Sequence, residues 1–319
     1  MILLLGGSGY IGQAFVTELR QRNCPFYSLA RSELDYTKLP LLLGYLRDQQ
    51  PTLVINAAGF TGRPNVDACE DARAETLQGN TLFPQVVGFA CETSGVALAH
   101  ISSGCIYMGA KFAGDDGISI QTDLTTPEMV QVRQEHPERL LGFNEKDQPN
   151  FTWRHPPCSF YSASKALAEE ALVGLSRCYL WRLRIPFDEY DDGRNYLSKL
   201  QRYPKVYDNV NSISHRGDFA RACLDLWERK APYGIYNVAN PGFITARMVV
   251  KMIKEILNLD REFEFWQSDA EFYRQAARAL RSNCLLDSSK LLSTGVRLRP
   301  VTEALEDALN HWKAKEVSA

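Results

Sequence analysis

Short apolar runs alternate with longer amphipathic stretches from the first residue onward. Residues 1–5 form a continuous apolar run of strand length that stops at glycines, and residues 10–21 carry Ile11, Phe15 and Leu19 at helical spacing. The same rhythm predicts a strand at 26–29, a helix at 38–49, a buried strand at 53–55 ending in Asn56-Ala57-Ala58-Gly59, one long helix at 70–94 and a strand at 96–101. A helix at 161–175 then leads into a strand at 178–184. Strands that alternate with helices at this spacing form parallel βαβ units, because each helix carries the chain back across the sheet. The predicted fold is therefore α/β, a Rossmann-type doubly wound parallel sheet. Beyond Arg184 the pattern is less regular, with a strand at 234–238 and helices at 246–257 and 302–313. The chain divides into a sheet-building region, 1–185 with 213–241, and a smaller C-terminal region, 186–212 with 242–319. Residues 109–157 break the rhythm with prolines at 127, 137, 149, 156 and 157 and no period, which marks either a structureless insertion or a lid beside a site.

Composition acts mainly by exclusion. The 319 residues carry 36 Lys+Arg against 38 Asp+Glu, a net charge of −2, so nothing favours a phosphate backbone and nucleic acid is not an expected partner. No apolar run approaches the ~20 residues that span a bilayer, and the apolar start is too short and lacks the basic flank of a signal peptide. A cytoplasmic protein without membrane contact is expected. Eight cysteines are scattered, none closer than the 14 positions from Cys91 to Cys105, which leaves no metal-ligand spacing and suits reduced thiols. His100, His136, His155, His215 and His311 lack such spacing too and read as structural.

Gly6-Gly7-Ser8-Gly9-Tyr10-Ile11-Gly12 follows the first strand directly and opens the first helix. A glycine at the turn lets the backbone reverse, and a second lets it approach a pyrophosphate with no Cβ in the way. The helix N-terminus adds free N–H groups and the positive end of a dipole. In this strand-to-helix context the pattern marks a dinucleotide site at Gly6, Gly9, Tyr10, Ile11 and Gly12. At the end of the second strand, where an acid would hold the ribose hydroxyls of NADH, stands Ala30-Arg31-Ser32. An arginine there pairs with a 2′-phosphate, so NADPH is expected, while Glu33 leaves NADH open. Asp35 is placed to accept the adenine amino group, and Ala57 and Ala58 leave room for the cofactor to cross the sheet edge.

Tyr161-Ser162-Ala163-Ser164-Lys165 puts a phenol and an ammonium at i and i+4 on one helical face. The ammonium stabilises tyrosinate and is expected to bring the phenol toward neutrality, where it exchanges a proton with a carbinol oxygen. The strand before it ends in Ser102-Ser103, whose hydroxyls suit the same oxygen.

The glycine loop, the Ser103/Tyr161/Lys165 set and the Asn56–Gly59 segment together resemble the extended short-chain dehydrogenase/reductases. Within that family, Leu34-Asp35-Tyr36-Thr37, Ser282-Asn283 and Leu286-Asp287-Ser288-Ser289-Lys290-Leu291 are similar to the dTDP-4-dehydrorhamnose reductases. Thr61-Gly62-Arg63-Pro64-Asn65-Val66-Asp67, Gly104-Cys105-Ile106, Pro149-Asn150-Phe151-Thr152, Arg194-Asn195 with Lys199, and Asn240-Pro241-Gly242 resemble the plant-type UDP-4-keto-6-deoxyglucose 3,5-epimerase/4-reductases. The likeness covers nearly the whole chain. It departs at 109–157, longer than the family's loop, at 153–158, and at Ser103, where the family often has threonine.

The resemblance implies a nucleotide-sugar substrate whose C4 ketone acidifies C3–H and C5–H, so that one site supports epimerisation and reduction. Ser103, Tyr161 and Lys165 would serve reduction. Cys105, a thiol tunable to neutral pH, and Lys199 would serve epimerisation. Arg63, Asn65, Arg194, Asn195 and Arg281 are expected sugar or diphosphate contacts, since guanidinium groups suit phosphate oxygens. The alternatives are a 4-reductase without epimerase activity and a non-catalytic nucleotide-binding regulatory subunit. A homodimer is compatible with all three.

Overall fold

The computed structural model describes residues 1–313; the C-terminal region expected to run to 319 has its last six residues outside that range. Ile2–Leu5, Phe26–Leu29, Leu53–Asn56, Ala97–Ser103, Cys178–Leu183 and Gly234–Asn237 form one parallel sheet. Across it, Phe26–Leu29 is one edge and Gly234–Asn237 the other, with Ile2–Leu5 beside Leu53–Asn56. From Ile2–Leu5 the chain winds one way to Phe26–Leu29, and from Leu53–Asn56 it winds the other way. The reversal leaves a crevice at the carboxyl ends of these two strands, where doubly wound sheets bind ligands.

Alternation within the strands fixes the layers. Ile2 and Leu4 enter one core with Phe15, Leu19, Trp181 and Phe219, under the helices Tyr10–Gln21 and Arg216–Glu228. Leu3 and Leu5 enter the other with Leu42, Leu46, Phe83, Val87 and Leu172, under Leu39–Gln49, Phe83–Ser94 and Phe160–Leu172. Each such side chain contributes ~1.5–3 kcal/mol on burial, and a one-residue slip would exchange the two faces. A third core gathers Phe187, Leu197, Ile213, Val249, Ile253, Leu305 and Leu309 around the amphipathic helix Ala246–Ile256.

Two expectations change. The single helix predicted at 70–94 is broken into Ala68–Asp71, Arg73–Leu77, a wider π turn at Gln78–Leu82, and Phe83–Ser94. Ala72 leaves the helical region (φ −95°, ψ 56°), and Pro84 has no N–H to give to the carbonyl of Asn80, so the ladder widens just before it. The aperiodic segment 109–157 is folded. Strands Ala110–Gly114, Gly117–Gln121 and Leu140–Leu141 make an antiparallel sheet, and the helix Pro127–Glu135 is capped by the Thr126 hydroxyl. Ala110, Leu124, Met129 and Leu140 pack on Val210 and Leu285. Strands this short, and a helix with Met129 as its buried residue, carry too few apolar positions to show a period. No helix of the described residues is long and apolar enough to cross a membrane.

Candidate active site

The glycine loop sits at the crevice. Gly6 has φ +78°, and a Cβ on it would lie 2.6 Å from the Ala58 nitrogen, so the loop and the Asn56–Gly59 segment touch through bare backbone. A Cβ on Gly12 would meet the Gly6 carbonyl oxygen at 2.1 Å, which lets the helix approach the loop. Gly9 differs: the nearest atom to a Cβ there is 3.3 Å away, and as N-cap it supplies no side chain to the first turn of Tyr10–Gln21. Those N–H groups are available to an anion.

Side chains around the loop divide clearly. Tyr10 does not turn toward the crevice: its hydroxyl donates to Asp188 Oδ1 at 3.1 Å, and the Arg216 guanidinium stacks 4.3 Å from its ring centroid. Ile11 packs against the sheet core. Both therefore offer backbone only. Arg31 is exposed. Glu33 is occupied, accepting the Ala30 N–H at 2.8 Å and the Tyr27 hydroxyl, so it is not free to hold ribose hydroxyls. Asp35 closes a turn on Thr37, whose hydroxyl donates to Oδ1 at 2.6 Å. These residues fit a nucleotide bearing a 2′-phosphate.

The acid/base groups meet where the strand Ala97–Ser103 ends. Ser103 and Ser102 point to opposite faces, as strand geometry requires. Ser102 donates to the buried carboxylate of Glu169 and belongs to the core, so only Ser103 serves the site. Ser159 caps the helix Phe160–Leu172 and so fixes the face that carries Tyr161 and Lys165. Lys165 is buried, with Nζ donating to the Ile101 carbonyl at 3.0 Å. The phenol is not brought toward neutrality: burial and the neighbouring thiols Cys105 and Cys69 push the Tyr161 pKa well up, against the Ser103 hydroxyl and the charge of Arg184. At neutral pH Tyr161 is a protonated donor. Burial likewise pushes the Cys105 thiol up, opposed by Ser103, Ser162, Arg184 and Lys165.

A second cluster gathers on the loop 61–67. Arg194 Nη1 donates to the Thr61 hydroxyl at 2.6 Å, and Arg281 closes bidentately on Asp67 at 2.7 and 2.8 Å. Asn65 accepts the Asp67 N–H at 2.8 Å, and Arg63 is exposed on the same loop. Lys199 lies among them, its pKa lowered by burial, Arg194 and Arg281 against the opposing charge of Asp192. Asn195 is not a ligand contact. It is fully buried, caps the helix Tyr196–Arg202, and spends its amide on Asp188 O, Asp188 Oδ1 and Tyr190 O. The helix bearing Lys199 needs that cap, and an asparagine at its start is the signal that reveals it.

Four contributors escape local reading. Asn80, in the π turn, bonds Phe60 N and O and reaches Ser164 Oγ at 3.2 Å, tying the loop after Leu53–Asn56 to the Tyr161 helix. Cys69 lies buried against Gly62. Asp188 holds Tyr10 of the glycine loop and Asn195 of the Lys199 helix at once. Arg184 is buried, and its charge bears on Cys105. The π interruption at a proline is the one signal that sequence carries for any of them.

The profile described as RmlD substrate binding domain matches residues 1–314. The chain belongs to the RmlD substrate-binding domain family. It is 30% identical over 305 residues to a trifunctional UDP-glucose 4,6-dehydratase/UDP-4-keto-6-deoxy-D-glucose 3,5-epimerase/UDP-4-keto-L-rhamnose-reductase of Arabidopsis thaliana, covering 95% of this chain but 40% of that protein. It is 29% identical over 304 residues to a bifunctional dTDP-4-dehydrorhamnose 3,5-epimerase/dTDP-4-dehydrorhamnose reductase of the same plant, covering 95% of this chain and 90% of that one. The RmlD-type fold is also that of a UDP-rhamnose synthase from Acanthamoeba polyphaga mimivirus, with TM-score 0.79 at 20% identity over 97% of this chain and 98% of the other.

Proposed function

We propose that this RmlD-family chain is an NADPH-dependent nucleotide-sugar 4-reductase that also epimerises C3 and C5, converting an NDP-4-keto-6-deoxyhexose to an NDP-6-deoxy-L-hexose. The observation that carries the reading is the convergence of Ser103, Cys105 and Tyr161 over a buried Lys165, beside the crevice formed by the glycine loop. The cofactor, held by Gly6, Gly9, Gly12, Arg31, Asp35 and the Ala57-Ala58 backbone, supplies hydride when bound. Ser103 hydrogen-bonds the C4 oxygen, and Tyr161, kept protonated by burial, delivers its proton there. Lys165, fixed by the Ile101 carbonyl, then stabilises the tyrosinate. Before reduction, Cys105 and Lys199 exchange protons at the carbons flanking the ketone, from separate sides of the site. Arg63, Arg194 and Arg281 face the diphosphate, Arg281 by exchanging its Asp67 partner.

A second reading, reduction alone, is favoured by the setting of Lys199. With Arg194 and Arg281 outnumbering Asp192 among its charged neighbours, it also suits holding an anion. Incubation in D₂O with the UDP- and dTDP-4-keto-6-deoxyglucose substrates and no NADPH separates the two. Deuterium entering C3 and C5, and lost at one or both in Cys105→Ala, is expected of the epimerase. An unmutated protein that exchanges nothing yet reduces a pre-epimerised substrate is the simple 4-reductase.

A further inference from the structure

Two arginines leave the same stretch of chain and meet opposite surroundings. Arg182, on the strand Cys178–Leu183, is 2% exposed and fully answered: Nη2 contacts Glu169 Oε2 at 2.7 Å, Nε bonds the same carboxylate, and Nη1 donates to the Tyr107 hydroxyl. Arg184, the first residue past the strand, is 5% exposed. Its Nη2 donates to Asn211 Oδ1 at 2.5 Å and to the Ser282 carbonyl, both neutral, and its buried Nε has no partner. No carboxylate lies within ion-pair distance of it among the described residues. A buried cation met only by neutral acceptors is strongly unfavourable, and a fold that keeps one leaves an electrostatic demand to be met by an anion from elsewhere.

The register shows where that anion arises. Leu183 pairs with Ser103, which sets Arg184 level with the Gly104–Ile106 turn that carries Cys105. The groups that hold the guanidinium lie against the same turn: the Cys284 N–H donates to Asn211 Oδ1 at 3.1 Å, and the Cys284 thiol to the Gly104 carbonyl at 3.3 Å. Other titratable groups bear on Cys105 from the elements around it. They are Lys165 and Tyr161 on Phe160–Leu172, Cys69 on Ala68–Asp71, and Cys284. Lys165 is the other cation among these, and it is committed to the Ile101 carbonyl.

We propose that Arg184 is the fixed counter-charge for the single negative charge that the acid/base chemistry of this site passes between Cys105 and the substrate. The inference rests on the epimerase reading of Cys105. As the thiolate takes a proton from the carbon beside the ketone, the C–H bond breaks and the S–H bond forms. The C–H electron pair moves into an enolate whose oxygen now carries the charge. Reprotonation at carbon, with Lys199 giving the proton, removes that charge, and solvent resets both groups. One negative charge sits near Arg184 before and after the transfer, so an immobile guanidinium serves both forms without rearranging. Arg184 acts through Cys105 and is a positioning residue. Its charge matters, where a structural arginine would matter for its shape.

The test reads the thiol directly in the full-length protein. Cysteine labelled with ¹³C at Cβ, with the Cys105 signal assigned by its loss in Cys105→Ser, is titrated in the parent, in Arg184→Gln and in Asn211→Asp. The last variant keeps the arginine but supplies the carboxylate that the fold withholds. Both substitutions are expected to raise the Cys105 midpoint by about one pH unit or more, a tenfold loss of thiolate at a given pH. Should Arg184→Gln fail to fold, Asn211→Asp decides alone. Equal midpoints in parent and Asn211→Asp, or no titration in either below alkaline unfolding, overturn the proposal. Deuterium exchange into substrate is scored separately. Its absence in the parent removes the epimerase reading while the titration still reports on Arg184.

Discussion

The cofactor side and the acid/base side of the site share one sheet edge, yet one is made of backbone and the other of buried side chains. Around the glycine loop the working surface is what side chains leave free: Gly6 against Ala58, Gly12 against Gly6, and an uncapped helix start at Gly9. Around Tyr161 it is a packed set of phenol, thiols, ammonium and guanidinium, drawn from Ala68–Asp71, Gly104–Ile106, Phe160–Leu172 and the chain past Leu183. At Gly6 and Gly12 the first side has no room for an added atom. The second tolerates no lost charge or proton, because in a buried setting every ionisable group shifts its neighbours. Asp188 ties the glycine-loop side to the Lys199 helix through Tyr10 and Asn195.

The largest effect should come from the buried side. Tyr161→Phe removes the proton donor and keeps the ring. Reduction, followed by loss of NADPH absorbance, should fall ~10²–10⁴-fold while cofactor affinity holds. Normal turnover would remove Tyr161 from the chemistry.

Two alanines probe the backbone side against itself. Gly12→Ala places a Cβ 2.1 Å from the Gly6 oxygen and 2.7 Å from the Gly7 Cα, both backbone atoms. Its stability to denaturant should drop by ~1–3 kcal/mol, the usual cost of overpacking. Gly9→Ala meets the Gly6 carbonyl oxygen at 3.3 Å, a tight contact that a shift of the loop by a few tenths of an ångström relieves, so it should lose less stability than Gly12→Ala and lose cofactor affinity instead. The reverse pattern would mean that Gly12, and not Gly9, leaves the surface the pyrophosphate uses.

A gentler change tests side-chain recognition on the cofactor side. If exposed Arg31 reads a 2′-phosphate, NADPH binds tighter than NADH by ~1–3 kcal/mol, and Arg31→Ala erases most of that gap. Titration of both cofactors measures it, and equal affinities in the parent would reassign the discrimination.

The smallest effect lies beneath both sides, at His215, which caps the helix whose Arg216 clamps the Tyr10 carbonyl. Burial lowers its pKa, but the carboxylates of Asp218, 3.6 Å from Nδ1, and of Glu189, 3.5 Å from Nε2, outweigh that, and the net shift is upward from 6.5. A raised folded-state pKa stabilises the protein fully below the unfolded value and loses that contribution as pH rises through the folded one. The melting temperature of the parent should therefore decline above pH 6.5 more steeply than that of His215→Gln. Parallel curves would show that the ring titrates alike in both states.

Sequence by itself placed the candidate cofactor side and named most of the candidate acid/base residues. The glycine spacing, the Asn56–Gly59 segment and the Tyr161/Lys165 pair are each contiguous or one helical turn apart, so local periodicity suffices to place them on a loop, a strand end and a helix face. Only the tertiary structure decided that Ser102 is spent on the buried Glu169, that Asn195 spends its amide on Asp188 and Tyr190, that Glu33 is occupied, and that residues 109–157 fold. It also decided that burial holds Tyr161 protonated, and that Arg184 stands beside Cys105 without a carboxylate. These are matters of desolvation and of pairings that range from 3 positions, as between Glu33 and Ala30, to 180, as between Cys284 and Gly104, and a chain read locally carries no record of which charges will be taken out of water together.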